Sequence, residues 1–215
     1  MSDEPFARWR LAEVCGAQSA LIVLLHGRGS NEDDLFALAE YLPTTAHIAS
    51  LRAPLSEGNG FTWYEKEPGG RPTAASLHDS VRYVEQFLDH HAGDAEEIVL
   101  IGFSAGAAMA GALVLTAPER FAGAVLLHGA LPLDAGLPAH AGRFADLPVF
   151  YATGATDDVI PIDLVTRSSQ FLREESGARL TERVYPHGHT ISGEELSDVI
   201  AWLDRTPTAP VGESS

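Results

Sequence analysis

The amino-acid sequence predicts an α/β protein with a mainly parallel central sheet and helices on both faces. Three observations lead there. Short, almost continuously apolar runs alternate with stretches of helical periodicity, the pattern of strands buried on both faces and joined by crossover helices. The chain is 215 residues long, a length at which about 70% of the unfolded surface is buried on folding, which suits one core. No linker-like stretch divides residues 1–205, so they read as a single domain, whereas 206–215 lacks periodicity and reads as a flexible tail.

The elements follow in order. Phe6 to Gln18 supplies an edge strand or hairpin, and Ala20 to His26 is the first strong strand. Asp33 to Leu42 is a short amphipathic helix, and His47 to Ala53 the next strand. Pro54 to Thr73 is the longest connection without expected structure, and long loops in compact domains are often functional. Its run Phe61-Thr62-Trp63-Tyr64 makes Trp63 a candidate pocket wall. Ala75 to His91 spaces Leu77, Val81, Val84, Phe87 and Leu88 helically, and ends on His90-His91, which complement the helix dipole when protonated. Glu97 to Ile101 is a buried strand and Ala107 to Leu115 a helix. Phe121 to His128 is a strand, followed by Leu131-Pro132-Leu133 as a second candidate wall. Then come a strand from Pro148 to Gly154, a helix from Ile162 to Glu175, a strand from Leu180 to Tyr185 and a helix from Glu194 to Leu203.

Between strand and helix lies Gly102-Phe103-Ser104-Ala105-Gly106. A serine on so sharp a turn is lifted clear of the sheet, with a helix N-terminus behind it that favours developing negative charge. A serine hydroxyl is a weak nucleophile and needs a base, which in turn needs an orienting acid. His189, in the loop before the last helix, stands where the base would arrive. Asp157, after the strand ending at Gly154, stands where the acid would. His187 is the rival base and Asp158 the rival acid, read as a solvated or capping carboxylate. Each chosen residue falls at the carboxyl end of a different strand, where ligands bind in such sheets. Acyl transfer also needs two N–H groups aimed at the carbonyl oxygen. Gly27 and Gly29 let the main chain approach a substrate, so the amides of Arg28 and Ala105 are the candidates. His26 and His128, at strand ends, read as satisfied structural histidines at the edge of the site.

Four motifs together resemble the phospholipase/carboxylesterase family of α/β-hydrolases, which includes acyl-protein thioesterases and small bacterial carboxylesterases. They are His26-Gly-Arg-Gly-Ser-Asn-Glu-Asp-Asp-Leu35, Gly102-Phe-Ser-Ala-Gly106, Gly154-x-x-Asp157-x-Val-Ile-Pro161 and Gly188-His189-x-Ile191-Ser192. The likeness covers residues 18 to 204 and implies an α/β-hydrolase fold without a separate lid domain. It implies Ser104 as nucleophile, Asp157 as acid, His189 as base, Arg28 and Ala105 as oxyanion donors, and Trp63 near the acyl site. It also implies hydrolysis of carboxylic esters or thioesters without a cofactor. Ala105 departs from the glutamine that thioesterase members often carry after the serine, which favours a carboxylesterase. The rival readings are a thioesterase or lysophospholipase, and a ligand-binding protein on a hydrolase scaffold.

The formal net charge of −16 excludes nucleic acid and anionic membrane surfaces as natural partners, since both would repel the chain. The same charge slows encounter with polyanionic substrates, an effect that Arg28 would partly offset at the site mouth. Cys15 is the only cysteine, which excludes an internal disulfide and fits a reducing compartment. With an acidic N-terminus and no membrane-length run, the expectation is a soluble, cytoplasmic enzyme. His187-x-His189 is metal-like, but no third ligand recurs nearby at ligand spacing, so no metal site is expected. The expected partner is a small-molecule ester of short to medium chain; a homodimer is left open.

Overall fold

The computed structural model describes residues 5–13, 20–92 and 97–206. Its strands are β1 (Ala7–Arg10), β2 (Leu21–Leu25), β3 (His47–Leu51), β4 (Leu55–Glu57), β5 (Gly60–Thr62), β6 (Ile98–Phe103), β7 (Gly123–Leu127), β8 (Pro148–Gly154) and β9 (Arg179–Tyr185). Its α-helices are α1 (Ala74–His91), α2 (Ala105–Thr116), α3 (Ile162–Gln170) and α4 (Gly193–Arg205). Seven strands form one sheet in the order β1-β3-β2-β6-β7-β8-β9. All neighbours run parallel except β1, which pairs antiparallel with β3 at the edge.

Apolar runs such as Leu21-Ile22-Val23-Leu24-Leu25 have no polar face to offer, so they occupy the interior of the sheet with every residue buried. Alternation divides them between two cores. Leu21, Val23 and Leu25 pack with α1 and α2, while Ile22 and Leu24 pack with α4 and the 3-10 turn Leu35–Glu40. The helix faces match: Leu77, Val81, Val84, Phe87 and Leu88 are the buried positions of α1. Nearly all of α2 is buried, and its small residues let it lie close over the sheet.

Several expectations need correction. The connection from Pro54 to Thr73 is not structureless, because β4 and β5 form an antiparallel hairpin within it. That hairpin docks by paired hydrogen bonds, Gly29 N–H to Phe61 C=O and Phe61 N–H to Ser30 C=O, both 2.8 Å. The helix expected to run to Glu175 widens into a π-helical turn at Phe171–Glu175, which turns Phe171 and Leu172 into the core. Thr206, placed in the tail by sequence, is buried and bonds through its hydroxyl to Trp202 C=O. Cys15, the end of the Phe6 to Gln18 segment and 207–215 lie outside the described residues. Among the described residues, no helix is long and apolar enough to cross a membrane.

Candidate active site

The site begins with the turn between β6 and α2. Ser104 sits at φ 56° and ψ −115°, a backbone conformation that costs a non-glycine residue on the order of 1–3 kcal/mol and persists only where the surroundings enforce it. The flanking glycines show what enforces it. A Cβ on Gly102 would lie 2.2 Å from Gly106 C=O, and one on Gly106 would lie 1.8 Å from Leu25 C=O. The start of α2 therefore rests directly on the end of β2. Ser104 N–H is tied to Leu127 C=O at 2.8 Å.

Around this turn the loops after β8 and β9 converge. His189 Nε2 lies 2.8 Å from Ser104 Oγ, and its Nδ1 lies 2.7 Å from Asp157 Oδ2. Nδ1 donates to the carboxylate, which leaves Nε2 bare and able to accept the serine proton. The other Asp157 oxygen accepts the N–H groups of Val159, at 2.9 Å, and Ile160, at 3.3 Å. Burial works against the Asp157 charge. The bonds from His189 and the two amides outweigh it, and the carboxyl lies below its ordinary range. Asp158 is exposed. His189, not His187, bonds Ser104; the His187 ring stacks on Tyr185 and His128, with Nε2 3.7 Å from Glu195.

The Gly27-Arg28-Gly29 loop follows β2. Neither Arg28 N–H nor Ala105 N–H is among the paired turn and loop amides of the described residues. His26 anchors the loop from behind. Its Nε2 accepts Ala53 N–H at 3.1 Å, so Nδ1 carries the proton and donates to Gly27 C=O at 2.7 Å. Burial lowers the His26 pKa, consistent with that neutral ring. The Arg28 guanidinium bonds Glu57 at 2.7 Å and Tyr64 C=O at 3.1 Å. Its charge is thus answered by Glu57 on the hairpin, which removes the offset expected at the site mouth.

A cleft of about 320 Å³ opens beside Ser104 and Ala105, bordered by Tyr64, Leu131, Leu133, Ile160 and Leu164. Leu131 borders it as expected. Trp63 does not: it is fully buried, with its indole N–H 2.8 Å from His26 C=O. It braces the strand end that carries Gly27 and Arg28, and Tyr64 takes the place at the cleft that sequence gave to Trp63. His128, expected as a structural histidine at the edge of the site, meets two carboxylates: its Nδ1 lies 3.3 Å from Asp157 Oδ2 and its Nε2 3.1 Å from Glu195 Oε2.

This geometry has known counterparts. The family model for Phospholipase/Carboxylesterase matches residues 11–206. The chain belongs to the phospholipase/carboxylesterase family. Among relatives in that family, the putative hydrolase MhqD of Bacillus subtilis is 27% identical over 87% of this chain and 94% of its own. Acyl-protein thioesterase 1 of Yarrowia lipolytica is 28% identical over 87% of this chain and 92% of its own. Among solved structures, the Bacillus cereus carboxylesterase superposes with a TM-score of 0.83 at 25% identity, covering 94% of each chain. A Mesorhizobium loti carboxylesterase gives 0.80 at 26% identity, covering 95% of this chain and 97% of its own. The fold is that of an α/β-hydrolase, and the protein is a serine hydrolase of the esterase type.

Proposed function

We propose that the protein hydrolyses short- to medium-chain carboxylic esters through an acyl-enzyme on Ser104. The observation that carries this reading is the unbroken line from Ser104 Oγ through His189 to Asp157, with links of 2.8 and 2.7 Å, at the wall of the cleft. His189 Nε2 takes the Ser104 proton as the oxygen attacks the ester carbonyl. The oxyanion that develops is held by the amides of Arg28 and Ala105, and by the positive end of α2. His189 then gives its proton to the departing alkoxide. A water molecule, deprotonated by the same nitrogen, releases the acid. Asp157 holds the ring in the Nδ1–H tautomer and stabilises the imidazolium formed in each half-reaction.

The substrate range rests on the cleft. Its volume of about 320 Å³ is at the small end of ligand sites, and Leu131, Leu133, Ile160 and Leu164 give it an apolar side suited to a modest acyl or alcohol group, beside the charged Lys66, Arg71 and Asp134. Kinetics on p-nitrophenyl esters from acetate to palmitate test this; a maximum at butyrate to octanoate is expected, and one at palmitate refutes it. Ser104→Ala is expected to lose turnover by several orders of magnitude with substrate binding retained. Matched thioesters in the same assay decide between ester and thioester as the preferred bond, and faster thioester cleavage would replace the present reading.

A further inference from the structure

Behind the Ser104–His189–Asp157 line lies a second layer of ionisable groups. The His128 side chain is fully buried, and so is that of Glu195. Each ring nitrogen of His128 faces a carboxylate oxygen, Asp157 Oδ2 at 3.3 Å and Glu195 Oε2 at 3.1 Å. A neutral imidazole has one N–H. It would set a bare lone pair against one of those oxygens at direct-contact distance.

Asp157 sits where its charge is favoured, whereas Glu195 is fully buried with Oε1 unpartnered among the described residues, so His128 is the ring that answers its Oε2. Asp157 already accepts His189 N–H and two backbone amides, the environment of a full anion. Glu195 is the third residue of α4, so the positive end of that helix faces it. The backbone of His128 is held at φ 48°, a conformation uncommon outside glycine.

We propose that His128 is an imidazolium that bridges Asp157 and Glu195, and that the pair positions the catalytic acid from behind. This rests on the esterase reading above. The groups facing His128 are Asp157 from the loop after β8, Glu195 from α4, His187 and His189 from the loop after β9, and the Phe103 ring from β6. Burial by itself would lower the His128 pKa; Glu195 and Asp157 outweigh it and hold the value above the ordinary range. His128 is therefore a positioning residue. It acts on Ser104 only through Asp157 and His189, by fixing the Asp157 carboxylate and by setting the charge that His189 senses.

Two measurements test this. The first is ¹⁵N–¹H NMR of the ¹⁵N-histidine-labelled wild-type protein, with the His128 signals assigned by their loss in His128→Gln. Both ring nitrogens should remain protonated at pH 7.5; one bare nitrogen, meaning a neutral ring beside a protonated Glu195, overturns the proposal. The second is the pH dependence of kcat/KM in the double variant His128→Gln/Glu195→Gln, which removes both buried charges together. Losing the nearer positive charge makes His189 easier to protonate, so the acid limb should move to higher pH by about one unit. kcat should fall by about tenfold, with KM little changed. An acid limb that coincides with wild type overturns the proposal. The NMR result needs no turnover, so it stands even if the ester proves not to be the substrate.

Discussion

Gly106 offers the sharpest test of how the site is built. A methyl group there would be 1.8 Å from Leu25 C=O and 2.8 Å from His26 C=O. Ordinary contact begins near 3.4 Å, so relief of the first clash needs about 1.6 Å of movement between two main-chain segments. No flexible side chain can absorb it. Overpacking of this kind costs about 3 kcal/mol, which for a chain of this size lowers Tm by roughly 6–12 °C. The function should suffer more than the fold. Displacing the start of α2 moves both Ser104 Oγ and the Ala105 N–H, and a 1 Å error in such groups costs about a hundredfold in rate. Gly193→Ala is the control, because that position meets nothing within 4 Å and has no positive φ. It should be neutral or gain about 0.4–1 kcal/mol. Urea melts and p-nitrophenyl butyrate kinetics on both variants provide the assay. If Gly106→Ala kept wild-type stability and a rate within twofold, the close crossing of α2 over β2 would be wrong.

Other expectations follow from single contacts. Trp63→Phe leaves the buried His26 carbonyl without its indole donor. It should cost about 1–3 kcal/mol by urea unfolding and leave the acyl-chain preference unchanged, since the ring lies outside the cleft. Leu131→Ala should destabilise by about 2–5 kcal/mol while shifting the optimum of an ester series to longer chains, because the side chain borders the cleft. Acid should weaken the fold in two stages. His26, with its pKa lowered from 6.5 by burial, contributes stability above pH 6.5 that is lost as pH falls through its folded value. Glu32, lowered from 4.5 chiefly by its hydrogen bond to Arg52, contributes above pH 4.5 and fades below it, as does Asp157 at still lower pH. His128 works in the other direction: its contribution is complete below pH 6.5 and disappears as pH rises through its raised folded value. Chemical denaturation from pH 3 to 10 checks these slopes, and a flat stability from pH 7 to 4 would contradict them.

Much of this architecture could be read from residues close together in the chain. A five-residue apolar run such as β2 has one stable home, inside a covered sheet, and a serine between two obligatory glycines has little choice but the sharp turn. The residues brought to Ser104 were legible because each stands at a strand end, where topology alone does the assembling. Trp63 was misread for a physical reason. An aromatic flanked by glycines in a long loop resembles a pocket wall, and only the β4–β5 hairpin, docked on Ser30, turns its indole inward. Tyr64, one residue along, then meets the cleft. The His128–Glu195 contact joins residues 67 positions apart, and no local pattern marks either partner. Glu195 reads as the third residue of a capped helix, which it also is, its N–H bonding Ser192 Oγ at 3.1 Å.

A fluorophosphonate reacts only with a serine oxygen that a neighbouring base has made nucleophilic. The decisive experiment is to label the protein with one, locate the adduct by mass spectrometry, and repeat the labelling with His189→Ala. A single adduct on Ser104, forming orders of magnitude more slowly without the imidazole, is what the geometry demands. An adduct elsewhere, or a Ser104 that reacts just as fast without His189, would contradict it.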